Sequence, residues 1–299
     1  MIQSVQFKNF RCLRDVKLKL APLTVLVGPN SSGKTTVLDG LAFPQISNEN
    51  KWRRDRSLKL IISYEYTNKP RVDFASNYGP QNHAIQSLAL DLTALRRENV
   101  LAAAQQLSST GDNLTNVFAT LTRLQQAAVA KEFCRLVPMF SDVDLEPTAS
   151  GRHQLRLQDR WNSDLWFAPT QVSDGTMLVL AFLVLQYQNP PVDIITIEEP
   201  ERALHPYLLD ELIQFLRKMT TGEIGKKPVQ VVLATHSAEL LEYVRPEEVR
   251  FLTRSPEDGS VQVNEAPTDT TNWQQVYKEY RESLGGLWLS GNLGGVPGR

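Results

Sequence analysis

The chain has 299 residues, of which 41% are hydrophobic and 22% charged, and its formal net charge is −1. This composition is typical of a globular protein and predicts one large domain with an inserted lobe, while the charge favours neither a nucleic acid nor an acidic substrate over the chain as a whole. The longest apolar run, at 177–185, is too short for a membrane span, the N-terminus has no signal-peptide pattern, and the two cysteines match no disulfide or metal-ligand spacing. We therefore expect a soluble cytoplasmic protein without a membrane partner.

The first 27 residues alternate between apolar and polar positions in the manner of strands. Val5 and Phe7, and then Val16 and Leu18, predict two short antiparallel strands. A continuous apolar run at 23–27 follows and predicts a strand that is buried on both faces. This run leads into GPNSSGKTT, and the segment VLDGLAF behind that loop predicts a helix.

The loop between this strand and this helix fits the phosphate-binding pattern G-x-x-x-x-G-K-[ST] at every position. Its two glycines, Gly28 and Gly33, allow the backbone to curl so that consecutive N–H groups point at phosphate oxygens. Lys34 would neutralise charge on the β- and γ-phosphates, and the Thr35 hydroxyl would bind Mg²⁺. The predicted nucleotide-binding residues are Asn30, Ser31, Ser32, Gly33, Lys34, Thr35 and Thr36.

Two features between the loop and the middle of the chain have less specific patterns. A basic run at 51–59, which includes Arg53, Arg54 and Arg56, is typical of a solvated face, and the alternative is a patch that follows the phosphates of DNA or RNA. Residues 84–136 have apolar residues at three- and four-residue spacing, for example Leu88, Leu92 and Leu95, which predicts an inserted helical lobe.

The segment after residue 150 combines a hairpin with a capped helix. Alternating apolar residues at 151–170 predict the hairpin, and QVSDGTMLVLAFLVLQY predicts a buried helix with Ser173 as its N-cap and Asp174 and Gly175 in its first turn. The Ser173 hydroxyl and the free N–H groups lie at the positive end of the helix dipole. We interpret this end as an anion site, and the alternative is a plain capped core helix.

The stretch DIITIEEPERALHP predicts a buried strand that ends in two carboxylates. Pro200 cannot donate to a sheet ladder, so Glu198 and Glu199 are expected at the carboxyl end of the strand, where open α/β sheets bind ligands. An amphipathic helix and a second apolar strand follow, and Thr235 and His236 stand at the carboxyl end of that strand. If the two strands are neighbours in a parallel sheet, His236 lies beside the acidic pair and is a candidate sensor of the γ-phosphate. The alternative is that the two glutamates are structural and each pairs with a cationic side chain.

The remainder of the chain predicts a strand pair, VRFLTR and SVQVNEA, a helix at 273–284 and a Gly-rich tail.

The motifs GPNSSGKTT, QVSDGT, ITIEEPE and THS, in this order, resemble those of an ABC-type ATPase head. Together with FKNFRCLRDV, GDNLTNVF and THSAELL, they are most similar to compact ATPases related to the OLD and RecF/SMC proteins. The resemblance implies an α/β fold, namely a P-loop NTPase of the ABC-ATPase head type with antiparallel N-terminal strands and an inserted helical lobe. We assign 1–299 to a single ATPase domain, with 1–43 and 151–272 as the nucleotide-binding core and 273–299 as a C-terminal helix and tail.

The resemblance also implies a homodimer in which two heads enclose two ATP molecules with Mg²⁺. In that family the phosphate loop of one subunit and the signature serine of the other hold each ATP, which implies that Ser173, Asp174 and Gly175 act in trans. By the same resemblance, Thr35 and Glu198 bind Mg²⁺, Glu199 is the general base and His236 is the switch histidine.

The chain also departs from the family pattern. Glu198 replaces the aspartate that is usual in ABC transporters, and Arg202 and Ala203 stand where relatives often have a small residue and a glycine. Gln81 is a guess for the Q-loop glutamine. The residues after His236 lack the Glu and Asp-x-Asp set of a Toprim module, so we expect no nuclease.

Relatives without a nuclease imply a slow ATPase that acts as a regulatory or sensor subunit for a separate effector, by analogy with bacterial anti-phage defence. The alternative is a RecF/SMC-like DNA-repair clamp that binds nucleic acid through 51–59. A transporter's nucleotide-binding subunit is disfavoured, because the signature is unlike LSGGQ.

Overall fold

The computed structural model describes residues 1–42, 48–55, 57–67, 69–74, 84–291 and 293. The predicted strands at the N-terminus, at 23–27, at 194–198 and at 230–235 are all present. The strands are β1 (Ile2–Phe10), β2 (Leu13–Lys19), β3 (Leu23–Val27), β4 (Ile61–Tyr66), β5 (Lys69–Phe74), β6 (Ile85–Leu88), β7 (Phe140–Pro147), β8 (His153–Asp159), β9 (Trp166–Phe167), β10 (Ile194–Glu198), β11 (Gln230–Thr235), β12 (Val249–Arg254) and β13 (Val261–Glu265).

The α-helices alternate with groups of strands along the chain. They are α1 (Lys34–Ala42), α2 (Leu114–Thr120), α3 (Arg123–Leu136), α4 (Asp174–Val184), α5 (Pro206–Thr221), α6 (Ala238–Leu241), α7 (Thr271–Glu279) and α8 (Leu284–Leu289). Among the residues that the structure describes, no helix has both the length and the apolar character that crossing a membrane requires.

The chain divides into two compact units. The first comprises Met1–Ser87, Asp193–Glu201 and Val229–Arg299, and the second comprises Leu88–Val192 and Arg202–Pro228.

The first unit contains a six-stranded sheet in the order β13-β12-β3-β11-β10-β6. Strands β3, β10 and β11 are parallel neighbours, in register so that Val27 lies opposite Thr235 and Glu198 opposite Ala234. All residues of β3 and β11 are buried, as their uninterrupted apolar runs predict. The carboxyl ends of these three strands therefore meet at one edge of the sheet, which fulfils the condition under which His236 was expected beside the acidic pair.

A four-stranded antiparallel sheet in the order β2-β1-β4-β5 completes the described strands of the first unit. The predicted pairing of the first two strands is confirmed. Phe7 and Phe10 are fully buried in a cluster with residues of α1, and each such side chain stabilises the fold by roughly 1.5–3 kcal/mol. The Tyr64 hydroxyl donates to the Gly40 carbonyl at 3.1 Å. These contacts fix α1, and with it the phosphate loop that precedes α1.

The end of the first unit differs from the predicted single helix at 273–284. The chain forms α7 and α8 instead, because Arg281 and Glu282 adopt positive φ angles of 53° and 61° between them. Ser283 then caps the new helix, since its hydroxyl accepts from the N–H of Gly286 at 2.9 Å. The apolar spacing across this break gave no sign of the change in backbone direction.

The second unit contains a three-stranded antiparallel sheet, β7-β8-β9, and helices α2 to α5. The predicted hairpin is present, with Leu157 opposite Phe167. Helix α4 is buried from Gly175 to Val184, as its apolar composition predicts. A Cβ atom on Gly175 would lie 2.4 Å from the Ala203 carbonyl oxygen, so the close approach of these two backbone segments requires a residue without a side chain.

The first part of the segment at 84–136 is not α-helical and contains only a single 3-10 turn, Ala94–Arg96, although its apolar spacing indicated helices. Leu88 ends strand β6, and the α-helices of the segment begin at α2. The Asp91 carboxylate accepts hydrogen bonds from the N–H groups of Thr93 and Ala94 and so starts this short turn, but the backbone is extended again at Arg97 and no α-helix follows before α2. Three leucines at helical spacing were therefore a coincidence of the sequence.

Candidate functional site

The phosphate loop joins β3 to α1 at the carboxyl edge of the six-stranded sheet. Ser31 and Gly33 have positive φ angles of 64° and 108°, which turn the backbone into a curl before α1 begins. The Ser32 hydroxyl oxygen is buried and has no hydrogen-bond partner among the described residues. Because unpaired buried hydroxyls are costly, this oxygen fits a loop that is completed by a phosphate group.

Lys34 extends back over the loop. Its Nζ donates to the carbonyl oxygens of Gly28 at 2.8 Å and Pro29 at 3.0 Å. Burial lowers the pKa of the Lys34 amine, while the nearby carboxylates of Glu199, Glu201 and Glu198 oppose this shift. The lysine charge thus lies where it can neutralise a phosphate group in the loop.

Thr35 and Glu198 are in contact, as the prediction of a shared Mg²⁺ requires. Burial and the charge of Asp39 raise the pKa of the Glu198 carboxylate, and the neighbouring Thr35 side chain opposes this shift. Mg²⁺ prefers hard oxygen ligands and usually takes only one or two from the protein, with phosphate oxygens and waters as the rest. One hydroxyl and one carboxylate at the phosphate loop fit that pattern.

Glu199 and His236 form the second contact at this edge. The His236 Nδ1 lies 3.1 Å from the Glu199 Oε1, and 53% and 42% of their side chains are exposed. The Glu199 N–H donates to the Ala234 carbonyl at 2.8 Å, and the Glu199 φ angle is 45°. A non-glycine residue in this conformation costs about 1–3 kcal/mol and is common at functional sites. The turn directs a carboxylate toward solvent beside the histidine, where it can accept a proton from a water molecule.

A third carboxylate, Glu201, was missed by the sequence analysis. It is largely buried, and its Oε1 accepts a hydrogen bond from the Thr235 hydroxyl at 2.5 Å. Burial raises the pKa of Glu201, against the opposing effect of this hydrogen bond. The third glutamate of the EEPE motif was the only sequence signal for a further carboxylate at this site. Its side-chain contacts, which the sequence does not give, distinguish its role from those of Glu198 and Glu199.

The signature residues Ser173, Asp174 and Gly175 belong to the second unit. Ser173 is the N-cap of α4, and its hydroxyl accepts from the Thr176 N–H at 3.2 Å. The structure adds Arg96, whose Nη2 bonds the Asp174 carboxylate at 2.6 Å and whose Nη1 donates to the Pro169 carbonyl. Only 15% of the Arg96 side chain is exposed, so the start of α4 is held by a largely buried cation. No sequence pattern indicated this arginine.

The basic run is exposed at Arg53 and Arg54, and Arg53 donates to the Asp258 carbonyl at 3.0 Å. Arg56 and Gln81, which were candidates for the basic patch and the Q-loop, lie outside the described residues.

Two family models match successive parts of the chain. The model described as "AAA ATPase domain" matches residues 1–131, and the model described as "AAA domain, putative AbiEii toxin, Type IV TA system" matches residues 140–242. The first match contains the phosphate loop, and the second contains the signature, the acidic strand and the histidine.

Two curated relatives match short segments. The OLD nuclease of Thermus scotoductus is 60% identical over 38 residues, which are 13% of this chain and 7% of that protein. The chromosome partition protein Smc of Methanococcus voltae is 33% identical over 75 residues, which are 25% of this chain and 6% of that protein. The matched segments thus span less than a tenth of either relative's own length.

The fold is similar to that of a solved SMC head bound to the C-winged helix domain of ScpA. The TM-score is 0.60 with 13% identity, and the alignment covers 90% of this chain and 98% of that chain. The identity is low, so the likeness shows the fold alone.

Proposed function

We propose that this chain, an ABC-type ATPase related to the OLD and SMC proteins, hydrolyses ATP slowly and dimerises around it. The observation that carries the proposal is the set of contacts at one sheet edge. Lys34 lies over the phosphate loop, Thr35 touches Glu198, and Glu199 touches His236. Charge neutralisation and the positioning of water are the main requirements of phosphoryl transfer, and these contacts supply both.

The residues divide the reaction between them. Lys34 and the N–H groups of the loop hold the phosphates, and Thr35 and Glu198 would hold Mg²⁺, which neutralises charge on the phosphate oxygens when bound. The oxygen of a water molecule attacks the γ-phosphorus while the bond from that phosphorus to the bridging oxygen of ADP breaks. The water's proton passes to the Glu199 carboxylate. His236 keeps that carboxylate oriented and donates toward the γ-phosphate.

The dimer supplies the remaining part of the site. The Ser173 hydroxyl and the first N–H groups of α4 in one copy would face the γ-phosphate bound by the other copy. The positive N-terminal end of α4 favours such an anion, and Arg96 fixes Asp174 so that the helix start stays in place. Glu199 would therefore act only when a second copy closes the site.

The replacement Glu199→Gln tests the reaction. It keeps the size of the side chain but removes the proton acceptor, so we expect ATP binding and ATP-dependent dimers to persist while turnover falls by about 100-fold or more. Turnover is measured by phosphate release, and dimerisation by sedimentation with ATP and Mg²⁺. The matched control is Glu132→Gln on α3, a partly exposed glutamate of the second unit that pairs with Arg135, and this change should leave turnover unchanged. Undiminished turnover in Glu199→Gln would contradict the assignment of the base.

The effector is proposed to be a separate protein whose state the dimer controls. The match to a model named for a toxin system, and the likeness to a head that binds a domain of ScpA, support a partner-binding ATPase. A RecF/SMC-like clamp is the alternative, in which the exposed Arg53 and Arg54 contact nucleic acid phosphates. Salt-sensitive DNA binding by the wild-type chain would favour the clamp over a protein effector.

A further inference from the structure

The carboxylate of Glu201 and the hydroxyl of Thr235 form a buried contact behind the exposed Glu199–His236 pair. Thr235 is fully buried, and its hydroxyl donates to the Glu201 Oε1 at 2.5 Å. The other carboxylate oxygen, Oε2, is buried without a hydrogen-bond partner among the described residues. A hydrogen bond to a carboxylate is roughly twice as strong as one between neutral groups, yet a buried carboxylate oxygen without a partner is costly. A neutral hydrogen-bond acceptor would hold the Thr235 hydroxyl without the free-energy cost of burying a carboxylate. The buried Glu201 carboxylate therefore indicates a functional role at the site.

The same hydroxyl also holds the backbone that follows. Thr235 Oγ1 accepts from the Ser237 N–H at 2.9 Å, and the Ser237 hydroxyl caps α6 by accepting from the Leu240 N–H at 3.2 Å. His236 lies between these two fixed residues and is itself largely exposed. Its ring thus depends on the backbone on either side for its direction toward Glu199.

We propose that Glu201 and Thr235 are positioning residues that fix the backbone at 235–237 and thereby keep His236 opposite Glu199. This inference rests on the proposed function, because it assigns to the pair a role in ATP hydrolysis. Displacement of a catalytic group by about 1 Å can lower a rate by about 100-fold. Loss of the pair should therefore act on turnover and leave ATP binding largely unchanged, since neither side chain is part of the phosphate loop.

The test compares two replacements of one residue. Thr235→Val removes the hydroxyl at nearly constant volume, and Thr235→Ser keeps it. We expect kcat to fall by about 10- to 100-fold in the valine variant with KM within about threefold of wild type, and the serine variant to recover most of the loss. A role confined to stability would not separate kcat from KM in this way.

Thr24→Val is the matched control in the same sheet. Thr24 is also fully buried, and its hydroxyl likewise accepts from a backbone N–H and donates to an oxygen, here both of Ala21. It lies near the start of β3, away from the carboxyl edge. We expect Thr24→Val to lower Tm by a similar amount to Thr235→Val while kcat stays unchanged.

A double replacement tests whether the two residues act as one unit. We expect Glu201→Ala to lower kcat like Thr235→Val, and the double variant to be no slower than the slower single variant. If Glu201→Ala does not fold, the serine and valine variants of Thr235 still decide the question. Equal kcat in those two variants would overturn the inference.

Hydrogen exchange at the Ser237 amide tests the positioning without nucleotide. The valine variant removes the acceptor of this N–H, so its exchange should become at least about tenfold faster than in wild type and in the serine variant. Unchanged exchange would overturn the inference even if the chain is an ATPase. Absence of ATP hydrolysis in the wild-type chain would instead contradict the proposed function. The exchange rate of the Ser237 amide therefore distinguishes failure of the positioning role from failure of the proposed ATPase function.

Discussion

At the scale of single residues, the site balances few cations against several buried or half-buried carboxylates. Lys34 faces the charges of Glu198, Glu199 and Glu201, and burial opposes ionisation of both Glu198 and Glu201. An uncompensated carboxylate in such a place destabilises the fold, and a bound Mg²⁺ would offset that cost. In the proposed function, this cost in stability maintains a site for a cation and phosphate groups.

The raised pKa of Glu201 predicts a specific pH dependence of stability. The folded chain holds the Glu201 proton more tightly than the unfolded chain, so the free energy of unfolding falls as pH rises from near the ordinary value of 4.5 through the higher folded pKa. Glu201→Gln lacks this titration. We expect the stability of the Gln variant relative to wild type to increase with pH across that window.

Urea unfolding of both proteins at several pH values from about 5 to 8 measures their free energies of unfolding. The difference between the two free energies cancels the contribution of every group that titrates alike in both proteins. A difference that stays flat or decreases with pH would contradict the burial of an ionisable Glu201.

At the scale of elements, the parts that the sequence analysis predicted correctly are those where local signals agree. The buried run of β3 ends at a glycine loop, that of β10 at an acidic pair before Pro200, and that of β11 at a Thr-His-Ser segment. The sequence therefore predicted both the strands and their carboxyl ends. The order of the strands in the sheet was not predicted and is known only from the structure. The alternating apolar residues of β1 and β2 likewise predicted an antiparallel pair, which the structure confirms.

The remaining elements could not be predicted, because tertiary contacts decide them. The break between α7 and α8 depends on positive φ angles at Arg281 and Glu282. The spacing of apolar residues along the chain does not indicate such angles. The contact of Arg96 with Asp174 joins residues that are far apart in the chain. The separation of roles between Glu199 and Glu201 likewise depends on which neighbour each side chain meets.

Helix α4 gives the prediction at this scale. Gly175→Ala would place a methyl group 2.4 Å from the Ala203 carbonyl oxygen, and backbone cannot move aside as a flexible side chain can. We expect the variant to be less stable by about 1–3 kcal/mol and to displace the first turn of α4. Urea unfolding measures the loss.

Gly151→Ala serves as the control for Gly175→Ala. A Cβ at Gly151 meets no atom within 4 Å, so only the strain of its φ angle of 76° applies there. We expect a loss of about 1 kcal/mol at that position. A Gly175→Ala variant as stable as wild type would show that this backbone approach is not tight.

At the scale of the whole molecule, the proposed functional unit is an assembly of two copies. Each copy contains a phosphate loop with its acidic and histidine partners, and a capped helix that begins with Ser173. The proposed dimer is isologous, so two copies would form two composite sites, and each site would take its phosphate loop from one copy and its signature from the other. A chain that lacks either part could then be complemented by a chain that lacks the other.

A mixture of two inactive variants tests whether the active site is shared between two copies. Lys34→Ala removes the cation of the loop, and Ser173→Arg blocks the signature, so each variant alone should hydrolyse almost no ATP. In an equal mixture half of the dimers are heterodimers with one intact site of two, and ATPase activity per chain should return to about a quarter of the wild-type value. Activity that stays absent in the mixture, or substantial activity of Ser173→Arg alone, would contradict an active site shared between two copies.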